Sequence, residues 1–164
     1  GKIIDVNGAN DAGPFSPERA GGLPVGDIVK MCFSGKFTQA EMRKKTVGSA
    51  GLVGNLGTND ARDVVKMIES GDEKAALIFD AMAYQIAKEI GAMATVINGK
   101  IDAVILTGGL AYSDLLCKKI IKRVEFIGPI LVYPGEDEMK SLAEGALRAL
   151  KGVEKAKIYE EEVE

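Results

Sequence analysis

The stretch Ile105-Leu-Thr-Gly-Gly-Leu-Ala-Tyr-Ser-Asp114 is a short apolar run that stops on two glycines, after which a helix-like segment begins. Read outward from it, Ile101 to Thr107 is the length and composition of a buried strand, and Ser113 stands where a helix would start. Leu116, Cys117, Ile120 and Ile121 follow at helical spacing and should face inward. Two residues without side chains at a strand-to-helix junction serve either a tight turn or the close approach of a ligand to bare backbone.

The flanks extend the alternation. From Asp72 to Asn98 apolar residues recur at Leu77, Met82, Ala83, Ile86, Ala87, Ile90, Ala94 and Ile97, with Gly99 as a stop, which predicts one long amphipathic helix. Phe126 to Tyr133 reads as a second strand interrupted early by Gly128-Pro129, and a third helix is expected from about Glu136, with Met139, Leu142, Ala143, Ala146, Leu147 and Leu150 on one stripe. Strands alternating with helices of this length predict parallel pairing through right-handed crossovers, with ligands beyond the carboxyl ends of the strands. Gly108-Gly109 and Pro134-Gly135-Glu136 both lie at such ends.

The first third is built differently. Glycines and prolines crowd residues 7–26; Asp27 to Ser34 reads as a short helix, Thr38-Gln-Ala-Glu41 has capping-box spacing, and Gly48 to Gly57 reads as a break in regular structure. Asn59 or Asp60 would cap another short helix ending before Gly71. Ile3 to Val6 reads as a strand with no sequence neighbour to pair with, so its partner is expected to be distant or outside the chain. Glu160 to Glu164 forms an acidic tail.

Composition narrows the chemistry. With 164 residues, 46% hydrophobic and 27% charged, the chain is sized for one globular domain, and a net charge of -3 without a basic cluster argues against nucleic acid and anionic membranes. No apolar run reaches the roughly 18 residues of a membrane span, and no signal peptide is evident, so the cytoplasm is the expected location. Cys32 and Cys117 lack metal-site spacing and sit in apolar helical patterns, as buried reduced thiols would. The chain contains no histidine, which removes zinc-histidine sites and histidine-based nucleophilic catalysis from it.

Three polar clusters fall in loops or helix starts: Phe15-Ser-Pro-Glu-Arg19, Gly57-Thr-Asn-Asp-Ala-Arg62-Asp63 and Tyr133-Pro-Gly-Glu-Asp-Glu138. With the Gly108-Gly109 turn they supply cations for phosphate, carboxylates for magnesium and open backbone beside a nucleotide, the set a phosphoryl-transfer site uses. Each also has a plain structural reading. Arg62 between two aspartates fits a surface ion pair, and the acids from Glu136 to Glu138 complement the dipole of the helix they open. Arg19, in a loop of prolines and glycines, has less of a structural task and suits a carboxylate or acyl phosphate.

The same words carry a resemblance. Ile-Asp-Val-Asn, Gly-Pro-Phe-Ser-Pro-Glu-Arg, Leu-Gly-Thr-Asn-Asp-Ala-Arg, Ala-Met-Ala-Tyr-Gln-Ile-Ala-Lys-Glu-Ile-Gly-Ala, Ile-Leu-Thr-Gly-Gly and Val-Tyr-Pro-Gly-Glu-Asp-Glu-Met closely resemble, in order over residues 1–158, the C-terminal half of the butyrate kinases. That resemblance implies a ribonuclease-H-like, actin-like ATPase domain of α/β class: an incomplete three-layer sandwich with a mainly parallel sheet, a helical insertion over about 8–71, an α/β core over about 72–150 and an acidic tail over 159–164. It implies reversible phosphoryl transfer between ATP and butyrate or a branched short-chain fatty acid, giving ADP and an acyl phosphate, with magnesium as cofactor and a homodimer or higher assembly. By position, Gly108, Gly109, Leu110 and Ala111 match the turn that holds the adenosine, and Asp60, Ala61 and Arg62 match the loop beside adenine and ribose.

Arg19 resembles the arginine that engages the transferred phosphoryl group or the substrate carboxylate, although here Pro24-Val25 precede Gly26-Asp27 where the acetate-kinase pattern has that arginine. Glu136 and Glu138 are the magnesium-associated candidates, and ungapped counting selects Asp137. The family's N-terminal domain would precede Gly1, so the isolated chain is expected to be inactive. Two other readings stand beside this one. A non-catalytic nucleotide-binding or assembly module of the same superfamily would not need Arg19, and a dinucleotide-binding oxidoreductase would need a Gly-x-Gly-x-x-Gly spacing that is absent after Thr107.

Overall fold

The protein is described from a computed structural model, which covers residues 2–8, 10, 12–156 and 158. Among these residues the elements run α1 (Val25–Cys32), α2 (Gln39–Thr46), α3 (Gly51–Leu56), α4 (Ala61–Glu69), α5 (Glu73–Val96), β1 (Val104–Gly108), a 3-10 turn (Gly109–Tyr112), α6 (Asp114–Val124), β2 (Ile130–Pro134) and α7 (Glu138–Leu150). The strands pair in parallel, with Val104 opposite Ile130 and Gly108 opposite Pro134, and α6 forms the crossover. This is the strand, helix, strand order that the alternation predicts.

Helix α5 is the spine. Asp72 caps it by accepting from the Ala75 amide at 2.9 Å, and it ends where Asn98 and Gly99 take positive φ, 54° and 72°. Ala75, Phe79, Met82, Ala83 and Ala87 form its buried stripe, which meets Leu116, Ile120 and Val124 of α6, Val64 of α4 and Leu52 of α3 in one core. Burying a side chain the size of Phe79 or Leu116 contributes roughly 1.5–3 kcal/mol each. That contact seats both α4 and α6 on α5, so the first turns of α4 and α6 are held by the same rigid element.

Several sequence expectations are corrected. Ile3–Val6 forms no strand, and Ile3 is 89% exposed; a strand needs a neighbour's backbone groups, and none of the described residues provides them there. Residues 48–57 are not a continuous break, because α3 forms between Gly51 and Gly57, and the fully buried Leu52 supplies the packing that local propensity lacks. Leu77 points to solvent although it belongs to the apolar series of α5, and Val124 joins the core in a position the series had not included. Cys117 is buried as expected, whereas Cys32, on the last turn of α1, is exposed. β2 begins only at Ile130, since Phe126 and Gly128-Pro129 belong to the turn that leaves α6. α7 starts at Glu138, and none of its residues is buried. The acidic tail lies outside the described residues.

Candidate functional site

At the carboxyl ends of β1 and β2 lies a cleft of about 1210 Å³. One wall is the start of α4, from Asn59 to Arg62 with Val65; the other is the turn after β1 and the start of α6, including Gly109, Leu110, Tyr112, Ser113 and Lys118. Pro17, Glu69 and Glu136 also border it.

The β1 wall is built from backbone geometry. Gly108 has φ +83°, a value that L side chains adopt only with strain, and it lets the chain leave the strand sharply. A Cβ added at Gly109 would meet nothing within 4 Å, so the protein's own packing does not require glycine there, and the bare backbone borders the cleft. Beyond the parallel register the tips cross over. Gly108 N–H donates to the Gly135 carbonyl and Gly135 N–H to the Gly108 carbonyl, both at 3.1 Å. A Cβ on Gly135 would lie 2.7 Å from the Tyr112 hydroxyl, so the ring covers that turn. Ala111 is buried behind the turn, where its carbonyl accepts from the Cys117 thiol at 3.5 Å. Ser113 then caps α6 by accepting from the Leu116 amide.

The α4 wall is built from side chains. Asp60 caps α4, accepting from the Arg62 amide at 2.8 Å, and the same carboxylate takes the Arg62 guanidinium at 2.6 to 3.1 Å. Those hydrogen bonds, from the side chain first and the amide second, hold the Asp60 carboxyl down at about 2. Asp60 is therefore ionised at neutral pH, and Arg62 is folded back on it across a surface where the arginine side chain is 86% exposed. An anion entering the cleft would compete with Asp60 for that guanidinium.

The candidate residues are thus distributed as follows. Asp60, Ala61, Arg62, Gly109, Leu110 and Glu136 line the one cleft; Gly108 and Ala111 support it from behind. Arg19 does not line it. Its Nε donates to Ser16 Oγ at 3.1 Å and its backbone bridges Val47, while Pro17 of the same loop reaches the cleft. Asn59 ties the two loops by donating to Glu18 at 2.9 Å. Glu138 opens α7 and Asp137 precedes it as a cap without a side-chain hydrogen bond, and neither lines the cleft. Val65, Glu69, Tyr112, Leu115 and Lys118 line it without having been singled out. Val65 was findable one turn beyond Ala61, and Lys118 one turn beyond Asp114.

The cleft's donor set limits how magnesium could be held. Among the described residues no group of three or more metal-ligating side chains forms, so an all-protein cage does not fit. Magnesium held through phosphate oxygens needs only one or two carboxylates. Glu136 is one of the carboxylates that line the cleft, with Asp60, Glu69 and Asp114.

Comparison with known proteins gives a consistent result. Residues 17–146 match the Acetokinase family. Over 159 residues, 97% of this chain, the sequence is 63% identical to Probable butyrate kinase 2 of Caldanaerobacter subterraneus subsp. tengcongensis, and the match covers 45% of that relative's length. Among solved structures, the acetate kinase of Porphyromonas gingivalis superposes with a TM-score of 0.72 at 20% identity, over 83% of this chain and 41% of that one. A propionate kinase from Francisella tularensis subsp. tularensis does so with a TM-score of 0.69 at 21% identity, over 78% of this chain and 39% of that one. At such identity the superposition shows the fold alone: the α/β fold of those two kinase structures, the fold class that the resemblance implied.

Proposed function

Since the chain belongs to the Acetokinase family, we propose that it is the nucleotide-side, C-terminal half of a butyrate kinase, a carboxylate kinase transferring the terminal phosphoryl group of ATP reversibly to butyrate or a branched short-chain acid. The products are ADP and an acyl phosphate. The observation that carries this reading is the convergence of Asp60-Ala61-Arg62 and Gly109-Leu110, from loops nearly fifty residues apart in sequence, on one cleft.

Each wall then has a task. Ala61, Val65 and Leu110 offer apolar surface for the base, and the open backbone at Gly109 allows close approach to the ribose side. Arg62, exchanged from Asp60 to the ligand, neutralises negative charge, leaving the Asp60 carboxylate to accept from sugar hydroxyls. Glu136 stands at the phosphate end and would bear on the magnesium that accompanies it, the ion itself supplying charge neutralisation when bound. Arg19 is proposed, through the family resemblance, for the transferred phosphoryl group or the substrate carboxylate, and its guanidinium would have to leave Ser16 to serve there.

The chain spans less than half the length of this curated relative. The reading places the remaining machinery in an N-terminal domain, predicts no turnover from this chain alone, and assigns the whole enzyme to the cytoplasm as a homodimer. No helix among the described residues is long and apolar enough to cross a membrane.

The test is Gly109→Val with ADP as the probe. The Cβ it adds meets nothing within 4 Å, so the urea midpoint should hold while ADP affinity falls at least tenfold by calorimetry. Undiminished ADP binding, or none by the wild-type chain, would remove the nucleotide reading. Acyl phosphate formation by the chain alone, above an Arg19→Ala blank, would overturn the predicted inactivity.

A further inference from the structure

A second concavity, of about 850 Å³, runs between α5 and α6 on the face away from the core. Lys88, Lys118, Lys119, Lys122 and Arg123 line it, against a single carboxylate, Asp80, which Lys119 already engages at 2.5 Å. This inverts the charge of a chain that is net negative. Part of the cluster follows from α6 alone, whose outward face must be polar and whose last turn favours Lys122 and Arg123 against the helix dipole. That account does not reach Lys88, which comes from the other helix.

The aromatic groups supply the second observation. Lys88 Nζ lies 5.6 Å and the Arg123 guanidinium 5.2 Å from the centre of the Tyr84 ring, so a cation from each helix is gathered on one aromatic side chain inside the groove. At the end of α6, Phe126 stands 84% exposed on the lining of the same groove. Like charges brought together repel, and among the described lining residues nothing but Asp80 offsets them. An anion would relieve that repulsion at several points together. The volume is in the range of small-molecule sites, and a groove with aromatic surface at its rim suits an organic ligand better than a bare ion does.

We propose that this groove is a second anion site, for a small organic molecule carrying at least two phosphate groups. It meets the nucleotide cleft at Lys118, which lines both, and is otherwise made of different residues. The assignment does not rest on the kinase reading. Lysine ammoniums act as mobile point charges and Arg123 as a planar fork, a mixture that binds clustered phosphates without demanding one geometry.

Inorganic tripolyphosphate is the probe, titrated into the isotopically labelled chain and followed by backbone NMR. Saturable shifts are expected at Tyr84, Lys88, Lys119, Lys122 and Arg123, weakening as salt is raised, and at least a tenfold loss of affinity in Lys122→Glu/Arg123→Glu. Both positions are exposed, and Lys88→Gln provides an independent variant that should also weaken binding. ADP shifts at Asp60 and Gly109 should persist in the double variant, which separates the two sites. Shifts confined to the turn at residues 109–113, equal affinity in the variants, or binding of a glutamate-rich peptide without binding of tripolyphosphate would each overturn the proposal.

Discussion

Gly51 and Gly57 bound the same short helix and both take positive φ, +57° and +80°, yet their surroundings differ completely. An alanine Cβ at Gly57 meets nothing within 4 Å, whereas at Gly51 it would lie 1.8 Å from the Ser16 carbonyl oxygen and 2.9 Å from that of Arg19. Both obstacles are backbone, and the Ser16 carbonyl also accepts from the Leu52 amide at 3.3 Å, so it cannot simply rotate away. Gly57→Ala should therefore cost only the left-handed conformation, about 1–2 kcal/mol. Gly51→Ala incurs the same penalty and an overpacking cost of about 1–3 kcal/mol besides. Against a total stability of roughly 5–15 kcal/mol the difference is easily read. Urea unfolding followed by circular dichroism should place the Gly51→Ala midpoint below that of Gly57→Ala by roughly 1 M, given a slope of about 1–3 kcal/mol per molar. Coincident midpoints would refute the packing of the Ser16–Arg19 loop over α3, and with it the position assigned to Arg19.

Two further outcomes follow from the site and its surroundings. The Asp60 carboxyl, held at about 2 rather than 3.8, binds fewer protons in the folded state, so its contribution to folding is complete above pH 3.8 and is lost as pH falls towards 2; carboxyl NMR titration should find that low midpoint, and Arg62→Ala should move it up. Of the two thiols, exposed Cys32 should react promptly with an aromatic disulfide reagent, while Cys117, whose thiol is pushed up by burial and by the nearby Asp114 charge, should react only slowly until the chain unfolds. Equal rates would contradict the packing of α6.

The α/β half was legible because its signals are local and redundant. Asp72 and Gly99 bracket α5, Ser113 caps α6, and the Leu116, Cys117, Ile120 spacing names its buried face. The capping box at Thr38 and Glu41 was equally plain, with the Glu41 carboxylate returning to the Thr38 amide at 2.7 Å. What could not be read was decided by tertiary contact. α3 exists because Leu52 is buried against α5, and Ile3–Val6 stays unpaired because strand formation depends on a neighbour rather than on its own β-branched residues. At the site, motif position pointed to both wall loops but not to which acid of the Glu136 to Glu138 run would border the cleft. That depended on where α7 begins: Glu138 is its first residue and does not line the cleft, while Glu136 on the preceding turn does.

The paired amides and carbonyls of Gly108 and Gly135 have a mechanical implication. Two segments joined by reciprocal links cannot slide past one another, so the turn at Gly109 and the stretch carrying Glu136 travel as a single plate. Because α5 seats both α4 and α6, the opposite margin belongs to the same frame, so the cleft keeps its width and the span from Gly109 to Glu136 stays constant.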